Sequence, residues 1–323
     1  MRGYTNDPRC RSVGDSVVDV VVPLPRFLRG NEDSLHSTGM VRHMGGSSNY
    51  LIAASRLGLR VGVADCIGDD DLGVFYRAGL EAEGIDTSRL LVMERGRTSG
   101  CIVILTSRGK HAYVGLEGVS RTYSPDEFDE GYVLEARSLF ISGYPLAENP
   151  IAFTVTKAMR TATRAGIPLF FDPSPVVDAI QPNLLREAVE STHTLILNYR
   201  EMRLIASTLG IKNELNSLLE LGARRVILKR GADGCSFQTP LGTMDYPGFK
   251  VKVIDTTGAG DSFDAAIIYG TLRGWNEQDT ATLANAVGAV KVGKRGAGRN
   301  VPTLTELVSF LKERELTISD KLD

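Results

Sequence analysis

Asp255-Thr256-Thr257-Gly258-Ala259-Gly260-Asp261-Ser262-Phe263 is a turn of small residues between two apolar runs. Val251 to Ile254 before it predicts a strand, and Asp264 to Tyr269 after it continues a helix. Glycines at 258 and 260 let the backbone turn tightly and approach a ligand without a Cβ clash. The amides of Gly258, Ala259 and Gly260 then fall at the helix amino end, where unpaired N–H groups and the macrodipole favour an anion such as phosphate. Beside a phosphoryl group the acid Asp261 adds only repulsion unless it takes a proton. A carboxylate near a helix amino end is expected to stay ionised at neutral pH, so Asp261 is placed to accept the proton of an attacking hydroxyl. The same residues also suit an ordinary tight turn with Asp261 as a helix cap.

Working outward, strands and helices alternate. Leu139 to Ser142, Pro168 to Asp172, Thr194 to Leu197 and Arg225 to Lys229 read as strands. Helices are expected near Ile151 to Ala165, near Leu184 to Ser191, and from Glu201, Ala259 and Asp279. Nearer the amino end, Val13 to Val22 predicts a strand near the sheet centre, Met44 to Gly58 a glycine-serine loop and helix, and Val61 to Ile67 another strand. This order predicts an α/β fold with a parallel sheet covered on both faces and ligands at the carboxyl ends of its strands. Two stretches, about 23–44 and 91–116, alternate in β fashion around a hairpin turn at Ser107-Arg108-Gly109-Lys110 and are expected to make a small separate sheet.

The 323 residues, 42% hydrophobic, can bury one principal core. With 37 Lys and Arg against 39 Asp and Glu, nothing in the charge balance calls for nucleic acid. Cys10, Cys66, Cys101 and Cys235 form no C-x-x-C pair, which argues against zinc or a redox centre and for reduced thiols in the cytoplasm. Residues 1–12, with Arg2, Arg9 and Arg11 and no apolar stretch behind them, are expected to be a loose extension rather than a signal peptide, before a main domain at 13–323. No apolar run reaches membrane-spanning length.

The whole string from Asp255 to Phe263 resembles the carboxyl-terminal signature of the ribokinase-like (PfkB) carbohydrate kinases, and further motifs follow in that family's order from Val13 to about Pro302. The resemblance implies a three-layer α/β/α domain with a small β lid, and transfer of the γ-phosphoryl group of ATP to a hydroxyl, with Asp261 as base and Gly258, Ala259 and Gly260 against the phosphoryl oxygens. Gly14-Asp15-Ser16-Val17-Val18-Asp19 is similar to the first family strand, which gives Asp19 to the sugar hydroxyls; Gly45, Gly46 and Asn49 match the substrate loop. Asn198 and Glu201 match an Asn-x-x-Glu motif at the Mg²⁺ and phosphate region, with Glu201 holding the metal through water. Lys229, Gly231 and Gly234 look like the nucleotide loop, and Asn285 like a segment flanking adenine. Family members often bind a monovalent cation such as K⁺ between the Asp255–Thr257 loop and the Lys294–Ala297 segment.

Two departures bear on the acceptor. Met44 stands where the substrate loop usually has its first glycine, and Asp172-Pro173-Ser174 lacks the arginine that accompanies the corresponding motif of several sugar-acid kinases. The Gly45-Gly46 loop also lacks the lysine that often accompanies phosphorylated substrates in the family, so a neutral sugar, nucleoside or polyol is expected, with a sugar acid such as 2-keto-3-deoxygluconate as the alternative. Asp69-Asp70-Asp71 is expected to be a solvated loop or helix cap rather than a metal cluster. A non-catalytic scaffold or ligand sensor would lack the base or the glycine turn, and both are present. A dinucleotide oxidoreductase would need G-x-G-x-x-G after the first strand, which Gly14-Asp15-Ser16 does not supply. The lid edge is expected to offer a surface for a homodimer.

Overall fold

The computed structural model describes residues 9–30, 34–107 and 110–322. The first eight residues of the expected extension, Arg2 among them, residues 31–33 of the expected lid, and Arg108 and Gly109 of the expected turn lie outside these. The strands in chain order are β1 Arg9–Val13, β2 Ser16–Leu24, β3 Val41–Gly46, β4 Arg60–Gly68, β5 Asp86–Met93, β6 Gly100–Thr106 and β7 His111–Leu116. They continue with β8 Ser138–Ser142, β9 Leu169–Asp172, β10 Thr194–Asn198, β11 Val226–Lys229, β12 Cys235–Thr239 and β13 Gly242–Tyr246. The helices are α1 Ser48–Arg56, α2 Asp71–Ala82, α3 Gly131–Leu134, α4 Ile151–Arg164 and α5 Pro182–Ser191. After them come α6 Tyr199–Leu209, α7 Leu215–Leu221, α8 Ala259–Leu272, α9 Glu277–Val292 and α10 Leu304–Lys312.

Nine strands form the main sheet in the order β13-β12-β11-β10-β9-β8-β1-β4-β5, parallel from β11 to β5, with β12 and β13 added antiparallel at one edge. Its strands alternate faces with period two. Cys10, Phe140, Phe170, Ile196 and Ile227 enter a core with α1, α2, α8, α9 and α10. Val13, Leu139, Ile141, Phe171 and Leu195 enter a second core with α3 to α7. Each fully buried Phe or Ile contributes about 1.5–3 kcal/mol through its area removed from water, which is why both faces must be covered. Helix α8 is buried from Ser262 through Gly270, as its unbroken run of small and apolar residues requires.

Four expectations are corrected. The expected single strand Val13 to Val22 is two strands in two sheets. Gly14 and Asp15 both adopt left-handed backbone (φ 82° and 69°), so the chain leaves the main sheet at Val13 and enters the second sheet at Ser16. Arg9 to Ser12 belong to β1, paired with β4 and β8 in the middle of the sheet, and are no loose extension. The second sheet, β3-β2-β6-β7, runs from Ser16 to Gly46 and from Gly100 to Leu116, while Leu91 to Met93 stay in β5 of the main sheet. Val251 to Ile254 is not a strand, because the amides of Ile254 and Asp255 donate to Val292 O (2.7 and 3.1 Å) at the carboxyl end of α9 instead of to a ladder.

The acids before α2 act as a cap. Asp70 accepts from Gly73 N and Thr98 N at 2.9 Å each, and Asp69 accepts from Arg95 N. Among the described residues no helix is long and apolar enough to cross a membrane, and no group of three or more His, Cys, Asp or Glu is placed to hold a metal ion.

Candidate active site

The carboxyl ends of β1, β8, β9, β10 and β11 open on one side of the sheet and deliver Asp15, Ser142, Asp172, Asn198 and Lys229. The glycine turn crosses above them. Gly258 takes left-handed backbone (φ 75°) and starts α8, a conformation that a side chain would strain. The Ala259 amide closes back on Thr256 O at 3.1 Å, so of the three expected cradle amides that one is committed to the turn.

Asp261 lies in the first turn of α8 and is partly buried. Burial pushes its carboxyl up to about 6, the nearby Asp172 charge adds to the rise, and Lys229 and a hydrogen bond with Asn49 oppose it. A carboxyl at about 6 is still mostly ionised at neutral pH, with desolvation working against the helix dipole. Asn49, in the first turn of α1, is held on its other side by Gly298, whose amide donates to Oδ1 at 2.7 Å. With that oxygen occupied, the amide nitrogen of Asn49 is the group that meets Asp261.

Asp19 of β2 faces the same space. Burial raises its carboxyl to about 6, with the Asp261 charge as the second cause. A Cβ on Gly45 would lie 2.6 Å from the Asp19 carboxylate oxygens, so glycine is needed for the carboxylate to lie over β3. The register puts His43, Cys101, Val103 and Tyr113 on the same face of the second sheet as Asp19. Met44 points the other way. It is 2% exposed, pairs with Val18 and packs its sulfur on Gly79, so this departure from the loop pattern belongs to the core and has no bearing on the acceptor.

Two buried ammonium groups lie under the glycine turn. Lys229 Nζ is 2.5 Å from Asp172 and 3.5 Å from Asp264, and 3.4 Å from where a Cβ of Gly260 would be. Burial alone would lower this lysine, but Asp172, Asp264 and Glu201 outweigh it and raise it. Asp264 is fully buried, 3.5 Å from Lys229, and burial pushes its carboxyl far above the carboxylate range. Lys229, assigned from sequence to the phosphate chain, is thus paired with Asp172 on the sheet side of the turn. The second ammonium is Lys291 of α9, whose Cε is 3.7 Å from a Cβ placed on Gly258.

Asn198 and Glu201 form a reciprocal cap of α6. Asn198 Oδ1 accepts from Arg200 N and Glu201 N, while Glu201 accepts from Asn198 N (2.8 Å) and Asn198 Nδ2 (2.6 Å). Each Glu201 oxygen receives one of these bonds and keeps a lone pair. Burial, then Asp172, raise the Glu201 carboxyl. Gly231 opens a short 3-10 turn after β11, and Gly234 packs against the backbone of Tyr246 to Gly248. Asn285 donates to Pro247 O at 3.0 Å, fixing the chain that follows β13.

Asp15, Asp172, Asp264 and Lys291 were not singled out as site residues in the sequence. The signal for two of them was a charged residue inside an apolar helix, Asp264 before Ala265-Ala266-Ile267-Ile268 and Lys291 between Val290 and Val292. Asp15 carries its signal only in its backbone, and Asp172 was read only as part of the Asp172-Pro173-Ser174 motif, for what that motif lacks.

Comparisons with known proteins identify the family of the chain. Residues 7–304 match the model of the pfkB family carbohydrate kinases. The chain is 32% identical over 310 residues to an ATP-dependent ribose-1-phosphate kinase of Halopiger xanaduensis, covering 95% of this chain and 99% of that one. It is 29% identical over 298 residues to a 5-dehydro-2-deoxygluconokinase of Shouchella clausii, covering 88% and 91%. The solved ribokinase of Thermotoga maritima superposes with a TM-score of 0.82 at 24% identity, covering 94% of this chain and 99% of that one. With a glycine turn, a partly buried acid behind it and a family match across nearly its whole length, the chain belongs to the pfkB family of carbohydrate kinases.

Proposed function

We propose that the chain is an ATP-dependent kinase that transfers the γ-phosphoryl group to a hydroxyl of a small polyhydroxylated substrate, with Asp261 as general base. The observation that carries this is the partly buried Asp261 carboxylate at the amino end of α8, between Asp19 and the two buried ammonium groups. Asp19 accepts from acceptor hydroxyls, and Gly45 and Gly46 keep the wall beside it thin. Asn49 orients Asp261 and, through its remaining N–H, the acceptor. Asp261 takes the hydroxyl proton as the new O–P bond forms and the bond to ADP breaks. Gly258 and Gly260 amides, over Lys229 and Lys291, stabilise charge on the phosphoryl oxygens. The nucleotide lies along Gly231 and Gly234 towards Asn285.

The free lone pairs of Glu201 fit a hydrated Mg²⁺, which when bound neutralises charge on the β- and γ-phosphates. The second sheet acts as a lid that excludes water competing for the phosphoryl group. Four free cysteines support a reducing, cytoplasmic setting. The exposed edge residues Val41, Val114 and Leu116 of the lid support a homodimer, which a monomeric mass by light scattering would exclude.

The acceptor is tested by ATP consumption across sugars, nucleosides, polyols, ribose 1-phosphate and sugar acids. Turnover with any of these supports the kinase function, and ATP binding without turnover on all of them contradicts it. Ribose 1-phosphate is the second candidate, favoured by the Halopiger relative's length and identity.

The pH profile follows from the site. A base whose carboxyl is raised to about 6 holds its proton up to that pH, so kcat/KM is expected to fall as pH drops through about 6. An ordinary aspartate would lose activity only near its usual value of 3.8. Because Asp19 titrates in the same range, the acid limb should be steeper than one proton. An acid limb centred near 4 would contradict the burial of this pair.

A further inference from the structure

We infer that Lys291 is a built-in cation that takes the place of a monovalent ion beneath the glycine turn, so that transfer by this enzyme does not depend on K⁺. The inference rests on the kinase function proposed above. Lys291 is 0% exposed, in the last turn of α9. Its Nζ donates to the Lys294 carbonyl at 3.3 Å, the oxygen-bearing segment on one side of the expected ion position. On the other side lies the Asp255–Thr257 loop, with Asp255 near enough for its charge to act on Lys291. The two segments are drawn together, since Asp255 Oδ2 accepts from Gly296 N at 2.8 Å and the Ile254 amide donates to Val292 O. The Lys291 side chain therefore runs into the place where a bound K⁺ would need ligands, and it brings a positive charge with it. A second cation there would meet the Lys291 ammonium at close range, and like-charge repulsion disfavours it.

The charge has a use. Lys291 Cε lies 3.7 Å from a Cβ placed on Gly258, and Asp261 is within its electrostatic reach. A fixed cation at that point favours anionic phosphoryl oxygens on the turn and does so without a freely dissociating ion. Carried on the α9 backbone, it is also present at every salt concentration. Lys291 is a positioning residue, acting through the turn.

The test compares the wild-type enzyme in potassium chloride and in tetramethylammonium chloride at the same ionic strength of about 0.1 M, so that screening is equal. The rate is expected to change less than about twofold, and stimulation by K⁺ beyond about fivefold overturns the inference. ADP affinity, titrated calorimetrically in the same two salts, carries the test even where no acceptor turns over. Equal Kd values support it, and a Kd tightened by K⁺ beyond about fivefold overturns it. Lys291→Gln is expected to lose about tenfold or more in kcat in tetramethylammonium and to recover part of it in K⁺. A merely structural lysine would show no such ion-specific rescue, and a Lys291→Gln enzyme indifferent to both salts and as fast as wild type contradicts the role. If that variant does not fold, the wild-type comparison decides. Absence of turnover in both salts with every acceptor counts against the kinase function, whereas K⁺-stimulated turnover counts only against this inference.

Discussion

Asp261→Asn is expected to lower kcat by about 10²–10⁴-fold, the range for removing a positioned base, while the affinity for ATP stays within a few-fold. The amide keeps the size and the contact with Asn49 but cannot accept the proton. Loss in kcat without a matching change in nucleotide binding marks a group that acts in the transition state. The variant should also be no less stable than the wild type at pH 8. A carboxyl raised from 3.8 to about 6 in the folded state binds its proton more tightly there than in the unfolded chain. That group's contribution to stability is largest below the unfolded value and falls as pH rises through the folded one. At pH 8 the wild type carries an unfavourable buried charge that asparagine removes. A thermal melt at pH 8 checks this, and a lower melting temperature for the variant would mean that the loss of activity has a structural cause.

Lys229→Met is expected to destabilise the fold by about 3–5 kcal/mol, the cost of leaving a buried partner charge uncompensated. Asp172 sits 2.5 Å from the ammonium and is itself 7% exposed. Burial works against its ionised form, and Lys229, then hydrogen bonds with Asp264 and from Ser174 N, hold the carboxyl below its usual range. Methionine fills the space but removes that support. Adding Asp172→Asn should recover a good part of the loss, because the surviving charge is then gone. Urea unfolding of the single and double variants measures both. A single-variant loss under about 1 kcal/mol, the scale of an exposed ion pair, would show that the Lys229–Asp172 pair is well hydrated.

The fold was largely legible because its strongest signals are local. Alternation from Leu139 to Lys229 gives the parallel sheet, and every strand expected in that span is present. What the sequence hid was where the chain changes sheet. Val13 to Val22 reads as one apolar run, and only the left-handed backbone at Gly14 and Asp15 divides it, a property that two adjacent residues do not announce by composition. Val251 to Ile254 has strand composition, yet its amides were claimed by the end of α9, a contact set by tertiary packing.

In the site, the residues that belong to short motifs were found and those that act on them from distant elements were not. Asp19, Asn49 and Asp261 are brought together as expected. Lys229 was seen, but its partner Asp172 is 57 residues away and Asp264 hides inside an apolar helix. Met44 shows the reverse case. Its departure from the family pattern pointed to the acceptor, but strand alternation turns it into the core.

The most direct test of the central claim is to follow γ-labelled ATP with the acceptor panel, wild type beside Asp261→Asn. Label is expected on an acceptor hydroxyl with the wild type and almost none with the variant, although the variant still binds ATP. Equal labelling by the two proteins would contradict Asp261 as the base, and bound ATP with no labelled acceptor in either would contradict the kinase itself.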